Sequence, residues 1–460
     1  MTRVLLAALA AGVLLAGCTL GPDYKRPEVD LPKDLGVAQG AKPADAQWWK
    51  LFHDPVLDKL VDEALAANRD LAVAAERIEE ARAQVRIERA ALSPDAGIKA
   101  SKSRDLASSI GPVNIPSEFV RTNTNRVVLA ASWELDFWGK YRRSVEAARG
   151  ELLATEAGRD AVRNTLIADV ARGYFALQAF DRGYEVAART RDSRVEGLGL
   201  LRKRLEAGVI GELEVRQFDA ELAAAEAAVP AIAQNRVRQE GALAVLLGRS
   251  PRAVMEGRVD RGTATLPEEV EVPAGLPSDL LLRRPDLRAA EGKLIAANAR
   301  IGVARAAFFP DVTLTAFYGG ESQAVRDLFK GPARTWSFGA NLVQPLFAVG
   351  QLIGGVELAN ARQREAVLEY QAAIAQAFKE VRDALALQAN ARDAYVAQRR
   401  REDNLENALR LANLRFTGGI SNLLDVLDAE RQLLGVRLEA INAERDRRDA
   451  IVELYLALGA

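Results

Sequence analysis

The chain has 460 residues but only one histidine, His53, and one cysteine, Cys18. A single histidine removes Ser-His-Asp, multi-histidine metal and HExxH chemistry together. A single cysteine excludes an intramolecular disulfide framework and a cysteine-based zinc site. Charge of one sign is not in excess: 62 Lys+Arg stand against 63 Asp+Glu, so nothing global points to nucleic acid and none is expected as a partner. Aromatic residues are 6%, thin for one large ordinary core. Proline is missing from two tracts, 117–229 (113 residues) and 346–460 (115 residues). Average usage of about 5% would place roughly 11 prolines there. Their absence fits very long helices, because proline removes a backbone donor and clashes with the preceding turn.

What is present begins with an address. Arg3 precedes an apolar run, Val4–Ala16, and small residues lead to Cys18. This is the layout of a secretory signal, too short for a comfortable membrane span. Leu15-Ala16-Gly17-Cys18 looks like a bacterial lipobox, and that resemblance makes Cys18 the lipidated first residue of the mature chain. Thr19, in place of an aspartate, is compatible with sorting to the outer membrane. An ordinary signal peptide with an incidental cysteine is the plainer alternative.

The body repeats itself. Asp70-Leu71 matches Asp286-Leu287 at an offset of 216, as do Ala83 with Ala299, Ala90 with Ala306, and Pro94-Asp95 with Pro310-Asp311. Leu135, Gly139, Val145 and Val170 match Leu346, Gly350, Val356 and Val381 at an offset of 211, and so does Leu213-Glu214-Val215 with Leu424-Asp425-Val426. The chain therefore reads as internally duplicated. Each copy is expected to hold a helix (about 70–92 and 286–308), two strand-like segments, a very long helix and a returning helix (about 212–247 and 422–458). A helix of about 67 residues would reach about 100 Å. Gly208 and Gly419 suit left-handed caps at the turns of the two hairpins. The expected divisions are 1–17 signal, 18–66 amino-terminal segment, 67–250 first repeat, 251–281 linker and 282–460 second repeat.

The strand segments alternate. In Arg126–Phe137 one face carries Val127, Leu129, Ala131, Trp133, Leu135 and Phe137, and the other Arg126, Val128, Ala130, Ser132, Glu134 and Asp136. Trp336, Phe338, Ala340 and Leu342 alternate with Ser337, Gly339 and Asn341; Val312–Tyr318 is briefer and residues 96–103 are poor. Such alternation describes transmembrane β-strands, and equally a soluble half-buried sheet. Four strands per chain fall short of the roughly eight a membrane barrel needs, and lipid tolerates no open sheet edge. A barrel must then be shared among chains, eight strands from two or twelve from three; the arithmetic does not choose.

At this point the sequence resembles the outer-membrane factors of the TolC superfamily, more narrowly the NodT-type lipoproteins of resistance-nodulation-division (RND) efflux systems. The residues that carry the resemblance are Cys18 with Gly21–Pro27, Trp48-Trp49 with Phe52 and Asp54-Pro55, Leu276–Leu287 with its Arg283-Arg284-Pro285-Asp286 core, and Thr417–Ala429. The resemblance implies a mixed α+β membrane protein, a homotrimer with a long α-helical barrel and a twelve-stranded transmembrane β-barrel. It implies docking to a periplasmic adaptor and an inner-membrane RND transporter, no catalysis, and no cofactor beyond the lipid on Cys18. The protein would be a passive exit duct. Leu424 and Asp428, four apart on one helix face, match family positions at the periplasmic constriction, with Asp425 beside them. The alternative for Asp428 is a solvated face and a pair with Arg431. The resemblance adds adaptor contact to the caps at Gly208 and Gly419. Trp133, Trp138 and Trp336 are expected near the membrane interface. Arg283, Arg284 and Asp286 read as a helix start, and His53 as an ordinary polar residue. Two other classes compete: a duct for protein secretion, and a lipid-anchored tether without a pore.

Overall fold

A computed structural model of the chain describes residues 19–32, 47–108, 110, 116, 120–262 and 282–459. Cys18 and its lipobox, and Leu276–Leu281 of the second motif, lie outside the described residues. Helices α1 (Pro55–Ala67) and α2 (Arg69–Ala90) precede strands β1 (Asp95–Leu106) and β2 (Arg121–Glu134). Then come α3 (Lys140–Glu206), α4 (Glu212–Leu246) and α5 (Pro251–Glu256). Helix α6 (Pro285–Ala306), strands β3 (Asp311–Ser322) and β4 (Arg334–Val343), and helices α7 (Val349–Thr417) and α8 (Leu423–Ala457) complete the order. Helices α2 and α6 both have 22 residues, α3 and α7 have 67 and 69, and α4 and α8 both have 35.

Helix ends follow local chemistry. Gly208 (φ 74°) and Gly419 (φ 73°) stop α3 and α7 in the left-handed region. Behind them Val209 N donates to Arg204 O, and Ile420 N to Arg415 O, both at 2.9 Å, so both long helices close with the same carbonyl-satisfying motif. Asn422 caps α8 by accepting from Asp425 N. Asp136 accepts from the amides of Tyr141 and Arg142 at the start of α3. This corrects the expected strand over Arg126–Phe137: β2 ends at Glu134, and Leu135, Asp136 and Phe137 belong to the turn that starts the helix. Residues 96–103, poor as an alternating segment, lie within a full strand.

The chain forms two compact units. The first comprises Met1–Val29, Arg77–Glu156 and Ala289–Gln371 and holds the antiparallel sheet, in the order β1-β2-β3-β4. Its helical part packs through small residues: Ala147, Ala296 and Ala299 are buried together. The second comprises Asp30–Glu76, Ala157–Arg288 and Ala372–Ala460. Its core gathers Trp48, Trp49, Phe52 and Leu57 against Tyr174, Phe175 and Leu243. Trp48 stacks on Tyr455 with ring centres 5.6 Å apart. Asp54 caps α1 through Val56 N and accepts from the buried Tyr174 hydroxyl at 2.6 Å. A second cluster joins Leu198, Leu201 and Phe218 to Leu423, Val426 and Leu427. Arg284 is buried, bound to Asp286, to Glu380 at 2.6 Å and to the Ala457 carbonyl, which fits the helix-start reading of its motif. His53 takes a left-handed backbone (φ 47°) where the short helical turn Trp48–Phe52 ends. Among the described residues no helix is long and apolar enough to cross a membrane.

Candidate functional site

Residues paired directly across antiparallel strands share a sheet face, so the register sorts every side chain. One face carries Ile98 (β1), Leu129 (β2), Tyr318 (β3) and Trp336 (β4) in a single row. The next row toward the helices is Ala96, Ala131, Ala316 and Phe338, and then come Trp133, Leu314 and Ala340. This face is apolar and uncovered: Ile98 is 77% exposed, and Trp336 and Phe338 are each 71% exposed. A patch of this kind marks a partner or a membrane. The opposite face is polar toward the helices, with Thr313, Thr315, Asn341 and Ser132, and mixed beyond, where Val128, Ala130 and Phe317 stand beside Ser337. There Arg126 lies 3.6 Å from Glu321 and over the Phe317 ring at 4.3 Å. Strands β1 and β4 each have one neighbour, so among the described residues the outer edge of each is free.

The predicted tryptophans fall at the helix side of the sheet or on its open face. Trp133 Nε1 donates to Leu92 O, and Trp138 Nε1 donates to Pro310 O while its ring stacks on Phe309. Both indoles thus tie down helix-to-strand turns. Trp336 projects from the apolar face without burial.

Directly after Cys18 the chain is clamped. Arg143, buried, donates to Leu20 O and Gly21 O and to the Asp23 carboxylate at 2.8 Å. Gly21 (φ 96°) passes so close to Gly302 that a Cβ would stand 2.5 Å from its Cα. Tyr24 and Arg26 both bind Glu291. Burial and that carboxylate push the Tyr24 phenol above its ordinary range.

At the start of α8, Leu423, Val426 and Leu427 point into the apolar cluster, which turns Leu424, Asp425 and Asp428 outward. Leu424 is half exposed, and Asp428 accepts from Arg431 and Gln432, each at 2.6 Å. The pair with Arg431 anticipated as the alternative is therefore formed within the chain. Sequence reasoning missed the exposed apolar residues around both hairpin turns: Val209, Leu213 and Ile420. The 211-residue offset was the available signal, since it pairs Val209 with Ile420 and Leu213 with Leu424. Among the described residues no group of three or more His, Cys, Asp or Glu is placed to hold a metal ion.

The outer membrane efflux protein family matches residues 60–249 and 276–460. The chain belongs to that family. It is an outer-membrane efflux duct of the TolC superfamily, in the bacterial outer membrane. It is 35% identical to the toluene efflux pump outer membrane protein TtgF of Pseudomonas putida, over 98% of this chain and 96% of that one. It is 33% identical to the cation efflux system protein CusC of Escherichia coli, over 100% of this chain and 99% of that one. The crystal structure of the Campylobacter jejuni CmeC outer membrane channel superposes with a TM-score of 0.91 at 30% identity, covering 96% of this chain and 95% of that one.

Proposed function

We propose that the protein is the passive outer-membrane exit duct of a tripartite RND-type pump, working as a homotrimer. Three four-stranded sheets would close one twelve-stranded barrel, with the apolar face to lipid and the polar face to the channel. The observation that carries this reading is a sheet with an exposed apolar face and two free edges. Each unpaired backbone group in lipid costs several kcal/mol, so such a sheet is viable in a membrane only when neighbouring chains pair its edges. Equal helix lengths in the two halves, and a family match that falls twice along the chain, support an internal duplication with repeats at 67–250 and 282–460.

In this reading residues 1–17 are a lipoprotein signal and Cys18 carries the lipid that adds a second hold on the outer membrane. The clamp around Thr19–Arg26 fixes where that lipid enters. Trp133, Trp138 and Trp336 anchor the barrel at the interface. The turns at Gly208 and Gly419, with their exposed apolar neighbours, meet the periplasmic adaptor that links the duct to the inner-membrane transporter. Leu424 and Asp428, with Asp425 at their side, form the periplasmic gate. The duct catalyses nothing and uses no cofactor. Relatives named for toluene and for cations match this chain over nearly its whole length, which fits a conduit whose cargo is chosen upstream.

Native mass spectrometry of the detergent-extracted, processed protein tests this. A mass near three lipidated chains, each somewhat under 49.8 kDa, is expected. A lipidated monomer stable across detergents would overturn the pore and leave the tether.

A further inference from the structure

The end of the sheet remote from the helices has a charge pattern that a channel wall does not require. Beyond the row of Ile98, Leu129, Tyr318 and Trp336, the same face continues with Ala100, Val127, Gly320 and Arg334. The following rows pair Lys102 with Asn125, Arg104 with Asn123, and Leu106 with Arg121. Lys102, Arg104, Arg121 and Arg334 are all exposed, and none has a side-chain partner among the described residues. The carboxylates of these rows, Asp105 and Glu321, fall on the other face. The apolar face thus carries cations and no acid along the strands, while the polar face holds the acids together with Lys99 and Arg126.

The connection between β3 and β4 folds back onto this apolar face. Leu328 is buried against the sheet, and a Cβ on Gly320 would stand 2.2 Å from its carbonyl oxygen, so only glycine admits the loop here. The loop then presents Phe329, 86% exposed, and Lys330, whose only charged partner among the described residues is Asp327 on the same loop. Between loop and sheet lies a cleft of about 460 Å³ floored by Ile98, Leu129 and Tyr318 and edged by Phe329, Lys330 and Arg334.

An apolar cleft with exposed cations at its rim, Lys330 held only by a loop aspartate and Arg334 with no side-chain partner among the described residues, matches an amphiphile with acyl chains and phosphate groups. Four steps of about 6.8 Å separate the Val312–Leu342 row from the Arg334 row, about 27 Å of strand and about 20 Å of depth at a barrel tilt near 40°. Arg334 therefore stands at the headgroup boundary, with Lys102 and Arg104 one and two steps of about 6.8 Å farther out along β1. The strands' other ends join the helices, so in the duct orientation this level is the outer leaflet. We propose that this end of the sheet is a binding site for the phosphorylated, multiply acylated glycolipid of the outer leaflet, with chains on Ile98, Leu129, Tyr318 and Phe329 and phosphates on Lys102, Arg104, Lys330 and Arg334. The inference rests on the membrane-barrel reading above.

The test uses the full-length protein, extracted from outer membranes and stripped of bound lipid by detergent exchange. It is incubated with bisphosphorylated lipid A, its dephosphorylated form, or phosphatidylglycerol, and adducts are counted by native mass spectrometry. Wild type is expected to retain bisphosphorylated lipid A above both other lipids. The variant K102Q/R104Q/K330Q/R334Q should lose about tenfold of that retention, while R400Q/R410Q, neutralised on α7, should keep it. The smaller variant K330Q/R334Q, both sites exposed, gives the same direction if the quadruple variant fails to fold. Equal retention by the quadruple variant, or by the dephosphorylated lipid, would overturn the phosphate site; equal retention of phosphatidylglycerol would reduce it to general anion attraction and overturn it as well. Wild type that enters outer membranes but retains no lipid A sinks this inference alone. Wild type that does not float with outer membranes sinks the barrel reading and the site together.

Discussion

Gly150 on α3 and Gly292 on α6 are set backbone to backbone. A Cβ on Gly150 would stand 2.8 Å from the Gly292 carbonyl oxygen, and one on Gly292 would stand 2.8 Å from the Gly150 oxygen. Two long helices can approach this closely only where neither carries a side chain.

Gly150→Val and Gly292→Val should each destabilise the protein. Leaving glycine in a helix interior gains a few tenths of a kcal/mol in propensity, but the collision is with backbone and costs about 1–3 kcal/mol or more. The collision wins. Gly199→Ala is the counterpart with open space around its Cβ and should stabilise by about 0.5–1 kcal/mol. Thermal melts by circular dichroism in detergent decide this; equal shifts for all three would show that the close approach is unimportant.

Arg284 gives a second stability test. Its guanidinium, 8% exposed, joins Asp286, Glu380 and the carbonyl end of α8 at Ala457. Arg284→Ala strands the partly buried Glu380 carboxylate and that carbonyl and should cost about 2–4 kcal/mol. Arg284→Lys should recover less than half, because an ammonium is a point donor where a planar fork is needed. Full recovery by lysine in chemical denaturation would reduce the role to charge alone.

Asp449 on α8 makes stability depend on pH. Burial, as the largest cause, pushes its carboxyl up to about 6, against the opposing pull of Arg445 and Arg172. One of its oxygens, Oδ1, has no hydrogen-bond partner among the described residues. A carboxyl raised in the folded state holds its proton more tightly there than in the unfolded chain, where it titrates near 4. Its ionised form therefore costs stability above pH 6, and the cost disappears as pH falls from about 6 to 4. Asp449→Asn should raise the melting temperature at pH 7.5, by about 1–2 kcal/mol of stability, and the gain should shrink at pH 4.5. A gain that is the same at both pH values would mean the carboxylate is solvated.

The long helices were legible because they depend on proline absence and glycine caps, both local. The expected returns at about 212–247 and 422–458 lie within two residues of α4 and α8. Proline inside α4, Pro230, did not break it, since Val215, Phe218, Leu222 and Val229 before it and Leu243 and Ala244 after it are buried and hold the helix on both sides. Strand β1 was obscure for a physical reason. Its residues on the apolar sheet face change from Ala96 and Ile98 to Lys102 and Arg104 half-way along, so no single alternation describes it. Helix α1 was missed although Asp54 and Pro55 spell a helix start: a side-chain cap followed by proline at the first position. The burial of Trp48 and Trp49 needed partners more than 100 residues away, which no local pattern carries. Asp136 looked like a strand residue because alternation continues through it, and only the following helix reveals its capping role.

The gate proposal makes a prediction in which two effects separate. Leu424 and Asp428 share the outward face of α8, and in a symmetric trimer each would recur three times around the axis. Leu424→Ala with Asp428→Ala removes both an apolar constriction and a ring of charge, and single-channel conductance in planar bilayers should rise severalfold. Asp428→Asn keeps the size and removes the charge, so it should lower cation preference with a smaller change in conductance. Arg431 now neutralises Asp428 at 2.6 Å within each chain. Freeing that carboxylate with Arg431→Gln should therefore raise cation preference while leaving the constriction in place. If Arg431→Gln and Asp428→Asn shift selectivity in the same direction, the Asp428 charge does not face the conduction path. Unchanged conductance in the double variant would remove Leu424 and Asp428 from the gate, and the exposed stripe would then be a solvated face whose Asp428–Arg431 pair contributes only the few tenths of a kcal/mol usual for such pairs.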